Sequence, residues 1–501
     1  MRHPRLRFRT TPAPIVMKRF TFASAAIASA IAAPIVLQAA RPHYGGTLRI
    51  EMPGVIRTFD PAASPADAAE SGARARVLPL VFETLVAADV SGGLRPQLAT
   101  SWEGDRAGQR WRFRIRDGVT LHDGSRLEAV QVAAALRARD RAWKIGVDGD
   151  VVVIEPDRAL ADFPWELADA RNAIAIRTAT GDLVGSGPFR LEPTEPRRIM
   201  LGAHEDYWGG RPFVDAAQIA EGRALGDALA SLELGRADFV PVRPIDLRRL
   251  VQRGLRSAGS RPLETFVLVF EPHRALPSDQ RVRRVVATAI DRATLSTVLL
   301  QRQSEAAAAL LPPWLSGYAP MFQSAAPPSG SAPARTEVLS LPPEQRTLTL
   351  RVDAADPLAQ AIAERIAVDV REAGITIKVQ APAGLAPRPD VRLVRLTFDA
   401  TTADRVLAAI VGALGARVIS LATSEVPPGV GAPIDAVYRM ERALVERDVI
   451  VPVVHLPALY GLGERVESWG GPAVWPSGAW NLANIWLRSD APTEKADRPD
   501  R

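Results

Sequence analysis

The sequence predicts a mixed α/β protein with parallel sheet, built in at least two lobes. Its clearest stretch reads as strand at 347–352, then helix at 357–373 with Ile362, Ile366 and Val370 four apart, then strand at 375–379, with Gly374 as the C-terminal cap. That is one βαβ unit, in which the strands lie parallel and the crossover is right-handed by the general rule. A less regular alternation follows at 391–398, 403–414 and 418–421. The 501 residues, 47% hydrophobic and 24% charged, suffice for two or three domains of ordinary size.

Upstream, residues 46–52 alternate apolar and polar and read as a strand, stopped by Asp60-Pro61 and Ser64-Pro65. Val77, Leu80, Val81 and Leu85 are spaced for a helix over 74–86, and 94–99 leads into Trp102. Strand-like segments at 111–115 and 119–122 are separated by Asp117-Gly118 and followed by Asp123-Gly124, both turn signals. A helix over 127–139 carries Val130, Ala134 and Leu136 on its apolar side, and 151–154 is a buried strand. Gly185-Ser186-Gly187-Pro188 is a turn opening a strand at 189–191, and a helix over 225–234 ends at Gly235. After a strand at 265–270, Ser278 and Asp279 cap a helix bearing Val282, Val285, Val286, Ala289 and Ile290. Residues 324–345, rich in Pro, Ser and Ala, are the best internal linker candidate.

The net charge of +6 is local. Six of the 62 bases fall in residues 1–40, which contain no acid, so the other 56 balance the 56 acids. A neutral body with 6% aromatics argues against a nucleic-acid partner. Lys18 and Arg19, followed by the apolar, small-residue run 20–40, have the form of an export signal, with Met1 or Met17 as the start. The same run is also long enough for a membrane anchor. There is no cysteine, so disulfides and a lipid-anchored cysteine at the cleavage site are both excluded.

Motifs for catalysis are missing. There is no Gly-Lys-Ser/Thr phosphate loop, no Gly-x-Ser-x-Gly elbow and no His-Glu-x-x-His. His43, His122, His204, His273 and His455 are far apart in sequence, and no metal site or cofactor is expected. Glu83, Asp117, Asp123 and Asp399 are conceivable members of a catalytic carboxylate pair, but most acids in such a chain are caps, turn formers and solvated charges. Trp102, Trp111, Trp208, Trp314, Trp469, Trp475, Trp480 and Trp486 lie beside turns or strand ends, where an amphipathic ring can line a cleft.

Nine phrases occur in a telling order: Gly45-Gly-Thr-Leu-Arg-Ile50; Phe59-Asp-Pro61; Val81-Phe-Glu-Thr-Leu-Val86; Leu94 to Glu103; Trp111 to Val119 with His122-Asp-Gly124; Gly185 to Phe189; Tyr207-Trp-Gly-Gly210; Asp279 to Arg283 with Ala289 to Arg292; and Leu311-Pro-Pro313 with Gly317-Tyr318. In this order the chain resembles the extracytoplasmic solute-binding proteins of peptide and nickel ABC transporters, family 5. The resemblance implies a two-lobed periplasmic binding protein fold with a hinge and an inserted smaller domain. By position, the first lobe is 43–57, 185–262 and 470–490, the insert 58–184, and the second lobe 263–469, between a signal peptide at 1–40 and a polar tail at 491–501. Two lobes on a hinge can close over a solute and present the closed shape to a permease.

The resemblance further implies a periplasmic, monomeric protein that captures an oligopeptide or similar small solute and delivers it to an ABC permease, without enzymatic chemistry. Other readings are a binding protein for a chelated metal or another non-peptide solute, an exported hydrolase, and a receptor without a transporter. In peptide-binding members an Asp near an Asp-Tyr-x-Asp-Pro segment holds the ligand amine. Asp399 in the stretch 396–404 takes that place here, although the tyrosine and the proline are absent. Thr58 and Glu271 occupy positions where the family's cleft is lined. The insert is short after Arg137, and the chain between 400 and 450 is compressed. Tyr207 and Trp208, like 111–119, read as fold-forming.

Overall fold

A computed structural model describes residues 42–488, apart from 90, 140–141, 161, 194, 319, 324–335, 337, 341, 343–345, 381–387, 399–401 and 470. The leader at 1–40, the tail at 491–501, most of the 324–345 linker and Asp399 lie outside the described residues.

The chain opens with β1 (Thr47–Glu51) and α1 (Ala68–Val77). Next come β2 (Ala99–Gly104), β3 (Trp111–Ile115), α2 (Ala129–Arg137), β4 (Lys144–Asp148) and β5 (Val151–Glu155). A third run holds β6 (Phe189–Leu191), β7 (Arg198–Ala203), β8 (Ala216–Ala220), α3 (Leu225–Glu233) and β9 (Phe239–Val242). The long β10 (Arg256–Phe270) leads to α4 (Gln280–Ala289), β11 (Thr347–Arg351), α5 (Pro357–Glu372), β12 (Thr376–Gln380) and β13 (Val391–Thr397). Helices α6 (Ala403–Leu414), α7 (Ala416–Ala422) and α8 (Ile434–Glu446) precede a second long strand, β14 (Ile450–Leu462).

These strands form two principal sheets. The larger has the order β6-β7-β8-β1-β9-β14-β10-β13-β11-β12. β1 is parallel to β8 and β9, and β11 is parallel to β12 and β13. Between these two parallel blocks, β10 and β14 run antiparallel through both halves of the sheet. Their register shifts between Gly259 and Pro262 and again between Pro262 and Glu264. Pro262 supplies no N–H to the ladder, so the pairing is interrupted where one half of the sheet passes into the other; a third shift follows between Phe266 and Val267.

Side chains alternate across β10 as strand geometry requires. Phe266, Leu268 and Phe270 enter a core with α4 and α5, whereas Val267 and Val269 enter another with α6, α7 and α8. Helices thus cover both faces of this half of the sheet, which is why the strand is continuously apolar. The other half packs Leu48, Ile50, Phe189, Ile219 and Phe239 together with Tyr460 and Trp480. A separate antiparallel sheet, β2-β3-β5-β4, buries Phe113, Val152 and Ile154 with Val132, Ala133 and Leu136 of α2.

Four elements differ from expectation. Instead of a helix over 74–86, α1 starts at Ala68 on the Asp67 cap and passes into a 3-10 turn at Leu78–Leu80, because Pro79 lacks an amide hydrogen to continue the ladder. Residues 119–122 form no strand: Val119 and Leu121 are buried, but only the bridge from Thr120 to Arg126 forms. α2 presents Ala129, Val132, Ala133 and Leu136 inward, leaving Val130 53% exposed. Residues 418–421 belong to helix α7, since Val418, Ile419 and Ala422 share one helical face against α8. The βαβ unit at 347–380 has its two strands parallel, with Thr347 opposite Thr376. Among the described residues, no single helix is long and apolar enough to cross a membrane.

Candidate functional site

The small antiparallel sheet meets the α6 side of the large one along a polar seam. After β5 the chain descends through Arg158 and Leu160 to a short helix, Phe163–Glu166. Opposite it stand the first turn of α6, with Asp404 and Arg405, and the loop at 429–431. Arg405 Nη1 donates to Glu166 Oε2 at 2.6 Å, and the two side chains are only 8% and 10% exposed. Glu166 Oε1 accepts from Arg171 Nη2 at 3.1 Å and from Asn172 Nδ2 at 3.3 Å. Arg158 Nη2 donates to the Val430 carbonyl at 3.2 Å, and the Gly431 amide donates to Asp404 Oδ2 at 2.7 Å.

Burial and the neighbouring charge of Asp404 push the Asp162 carboxyl above the usual carboxylate range, against the pull of Arg405 and Arg158. Beside the ion pair lies a cleft of ≈ 470 Å³ lined by Trp143, Arg158, Glu166, Arg171, Arg405 and Val430 among others. That size suits a small organic ligand. A smaller cavity of ≈ 260 Å³ sits where β10 changes register, between Gly259, Ser260 and Arg261 and the segment containing Pro472 and Val474. There the Trp314 indole donates to the Pro262 carbonyl at 2.8 Å, and Arg261 lies over its ring.

Thr58 and Glu271, expected from sequence, are not among the residues named on the wall of this cleft. Thr58 is half-buried, its Oγ1 accepting from the Asp60 amide at 3.2 Å. Glu271, at the end of β10, is held by Arg388 at 3.0 Å and Arg392 at 2.9 Å. Burial opposes its charge, but these two arginines outweigh burial and keep its carboxyl below the usual range. Thr58 and Glu271 thus belong to separate networks, and Asp399 lies outside the described residues.

Sequence reasoning missed Arg158, Glu166, Arg171, Arg405 and Trp143. The available signal was Asp404-Arg405 inside the otherwise apolar run of α6, where a buried charged pair requires partners. Of the tryptophans expected at a cleft, Trp480 is buried at 2% exposure in the core and Trp208 is tied to Glu83.

Glu83 itself is structural. Its buried carboxylate accepts from Ser186 Oγ at 2.8 Å, Tyr207 OH at 3.0 Å, Trp208 Nε1 at 2.9 Å and Gln97 Nε2 at 3.2 Å. Burial raises its pKa, and these four donors oppose the rise. His122 and His204 do come together, with ring centroids 5.0 Å apart and both rings against the Gly187 carbonyl. Among the described residues, however, no three metal-ligating side chains form a group.

Residues 93–417 match the family model for bacterial extracellular solute-binding proteins, family 5, middle region. The chain belongs to this family. Oligopeptide-binding protein AppA of Bacillus subtilis is 24% identical over 304 residues, covering 54% of this chain and 54% of AppA. The nickel-binding periplasmic protein of Escherichia coli is 22% identical, covering 60% of this chain and 65% of that one. The chain thus spans between about half and two-thirds of these curated relatives. Among solved structures, the Listeria monocytogenes ABC transporter substrate-binding protein CtaP matches with a TM-score of 0.72 at 16% identity, covering 89% of this chain and 99% of that one. The fold is therefore that of a family 5 solute-binding protein, mixed α/β and two-lobed.

Proposed function

We propose that this solute-binding protein works outside the cytoplasm, capturing an oligopeptide or similar small solute between its lobes and delivering it to an ABC permease without altering it covalently. The observation that carries this is the polar cleft beside Glu166 and Arg405. It is roomy enough for a small solute, and its two walls come from parts of the chain far apart in sequence. In the division proposed here, lobe one comprises 43–57, 185–262 and 470–490, the insert 58–184 and lobe two 263–469. The register breaks in β10 then serve as the hinge; the insert leaves and re-enters lobe one at 57 and 185, so closing the two lobes also closes the cleft between the insert and lobe two.

Membership of the family, together with AppA as an oligopeptide-binding relative, supports a peptide ligand. Asp399 is proposed to hold the peptide amine. Thr58 and Glu271 remain proposed lining residues, Glu271 acting through the two arginines it holds in place. The basic start followed by an apolar run supports export by an N-terminal signal, and a monomer is the proposed working state.

Thermal unfolding of the purified protein, stripped of carried-over ligand by unfolding and refolding, tests the reading with mixed di- to pentapeptides. A peptide at 100 times its Kd adds about 2.7 kcal/mol of stability, or roughly 3 °C in the midpoint for a chain of this size. A rise that Asp399→Ala abolishes supports peptide capture and its amine anchor together. A cooperative melt that no peptide moves overturns the peptide ligand.

A further inference from the structure

We infer that Arg405 anchors a carboxylate of the bound solute, and that Glu166 holds that anchor from within the chain until the solute displaces it. The inference rests on the reading of the cleft as the solute site and adds the group recognised there.

Arg405 stands in the first turn of a helix whose neighbouring residues Ala403, Val406, Leu407 and Ile410 are buried in an apolar core. A guanidinium placed so deeply requires an anionic partner. In this structure that partner belongs to the opposite wall, 239 residues away in sequence. The pairing is incomplete: Nη1 alone of Arg405 reaches Glu166, while Nε is buried and has no hydrogen-bond acceptor among the described residues. A guanidinium matches a carboxylate best when two parallel N–H groups meet two oxygens. Glu166 does not complete that match, because its other oxygen faces Arg171 and Asn172.

The same division of labour makes exchange inexpensive. When a solute carboxylate takes Arg405, Glu166 keeps Arg171 and Asn172, so neither charge is left buried and alone. The cleft beside the pair supplies the room, with Trp143 on its wall. A free peptide terminus, or a small carboxylic acid, has the required chemistry.

Calorimetric titration of the purified protein with trialanine and with its C-terminal amide tests the anchor, using wild type, Arg405→Gln and Glu166→Gln. Amidation is expected to weaken wild-type binding at least tenfold, and Arg405→Gln to erase that difference. Glu166→Gln, which removes the internal competitor's charge, is expected to tighten the free peptide several-fold and leave the amide unchanged. Equal wild-type affinity for both peptides, or an equal loss of both in Arg405→Gln with no gain in Glu166→Gln, overturns the inference. If neither peptide binds, the peptide reading fails by itself. The anchor is then decided by tryptophan fluorescence under succinate titration: a saturable response absent in Arg405→Gln upholds it, and the same response in both proteins, or none, overturns it.

Discussion

Trp208 donates its indole N–H to both oxygens of Glu83, at 2.9 and 3.2 Å, and carries the Arg116 guanidinium 3.9 Å above its ring. The two residues are 125 apart in sequence, yet they join the start of the small antiparallel domain to the loop after β7. Glu83 needs these donors because it is wholly buried, and a buried carboxylate without hydrogen bonds costs far more than one that is satisfied.

Trp208→Phe keeps an aromatic ring but removes the donor. It is therefore expected to destabilise the protein by about 2 kcal/mol, the typical cost of depriving a buried polar group of a hydrogen-bond partner. Tyr207→Phe, which removes one donor and keeps the ring in place, should cost about as much or somewhat less. Urea unfolding measures both. If the folded Trp208 variant also lost solute binding while keeping wild-type stability, Glu83 would be part of the site rather than of the scaffold.

A second buried carboxylate makes stability depend on pH. Glu441 of α8 is fully buried, accepting from the Leu310 and Leu311 amides at 2.6 and 2.8 Å and from Tyr318 OH at 2.6 Å. Burial outweighs these donors and raises its pKa to about 7. The native state therefore retains a proton that the unfolded chain releases above about 4.5, so this residue's contribution is complete below that pH and is lost as pH rises toward 7. The loss amounts to about 3 kcal/mol. Glu441→Gln stays neutral and keeps an oxygen for the two amides, while Tyr318 can accept from its NH₂ group. Urea unfolding at pH 5 and pH 7 should show the variant close to wild type at the lower pH and more stable at the higher. An equal difference at both pH values would mean that Glu441 does not titrate in this range.

Local signals are read from sequence where one interaction dominates. The βαβ unit at 347–380 is legible because period, cap and turn agree: Ile362, Ile366 and Val370 are all buried, and Gly374 takes a φ of +92°. Residues 418–421 mislead because so short a mostly apolar run, Val418, Ile419 and Leu421 around Ser420, suits a strand or a helix equally, and only packing against α8 decides between them. Family phrases such as Tyr207-Trp208 are legible as scaffold, but their reason, the buried carboxyl of Glu83, is a long-range contact. The cleft is the least legible feature. Arg405 and Glu166 are 239 residues apart, on opposite walls, and no spacing rule links them.

The same seam depends on one glycine. Gly431 has a φ of +87°, and a Cβ there would stand 2.8 Å from Leu160 Cδ2 and 3.2 Å from Asp162 Oδ1 on the opposite wall. Gly431→Ala thus faces both a left-handed backbone and a collision across the seam, and the backbone alone costs roughly 1–2 kcal/mol. Leu160 and Asp162 can turn their side-chain ends aside, so the strain that remains is the left-handed backbone, which is expected to shift the 429–431 loop and loosen the Gly431 amide from Asp404 and the Arg158 contact to Val430. Gly429→Ala is the control, because its Cβ would meet Arg158 Nη1 at an ordinary 3.8 Å. Urea unfolding should show Gly431→Ala destabilised by roughly 1–2 kcal/mol and Gly429→Ala close to wild type, with a red shift of tryptophan emission in the folded Gly431 variant alone as Trp143 gains water. Identical stability and emission from the two variants would show that the seam does not depend on the left-handed backbone at Gly431.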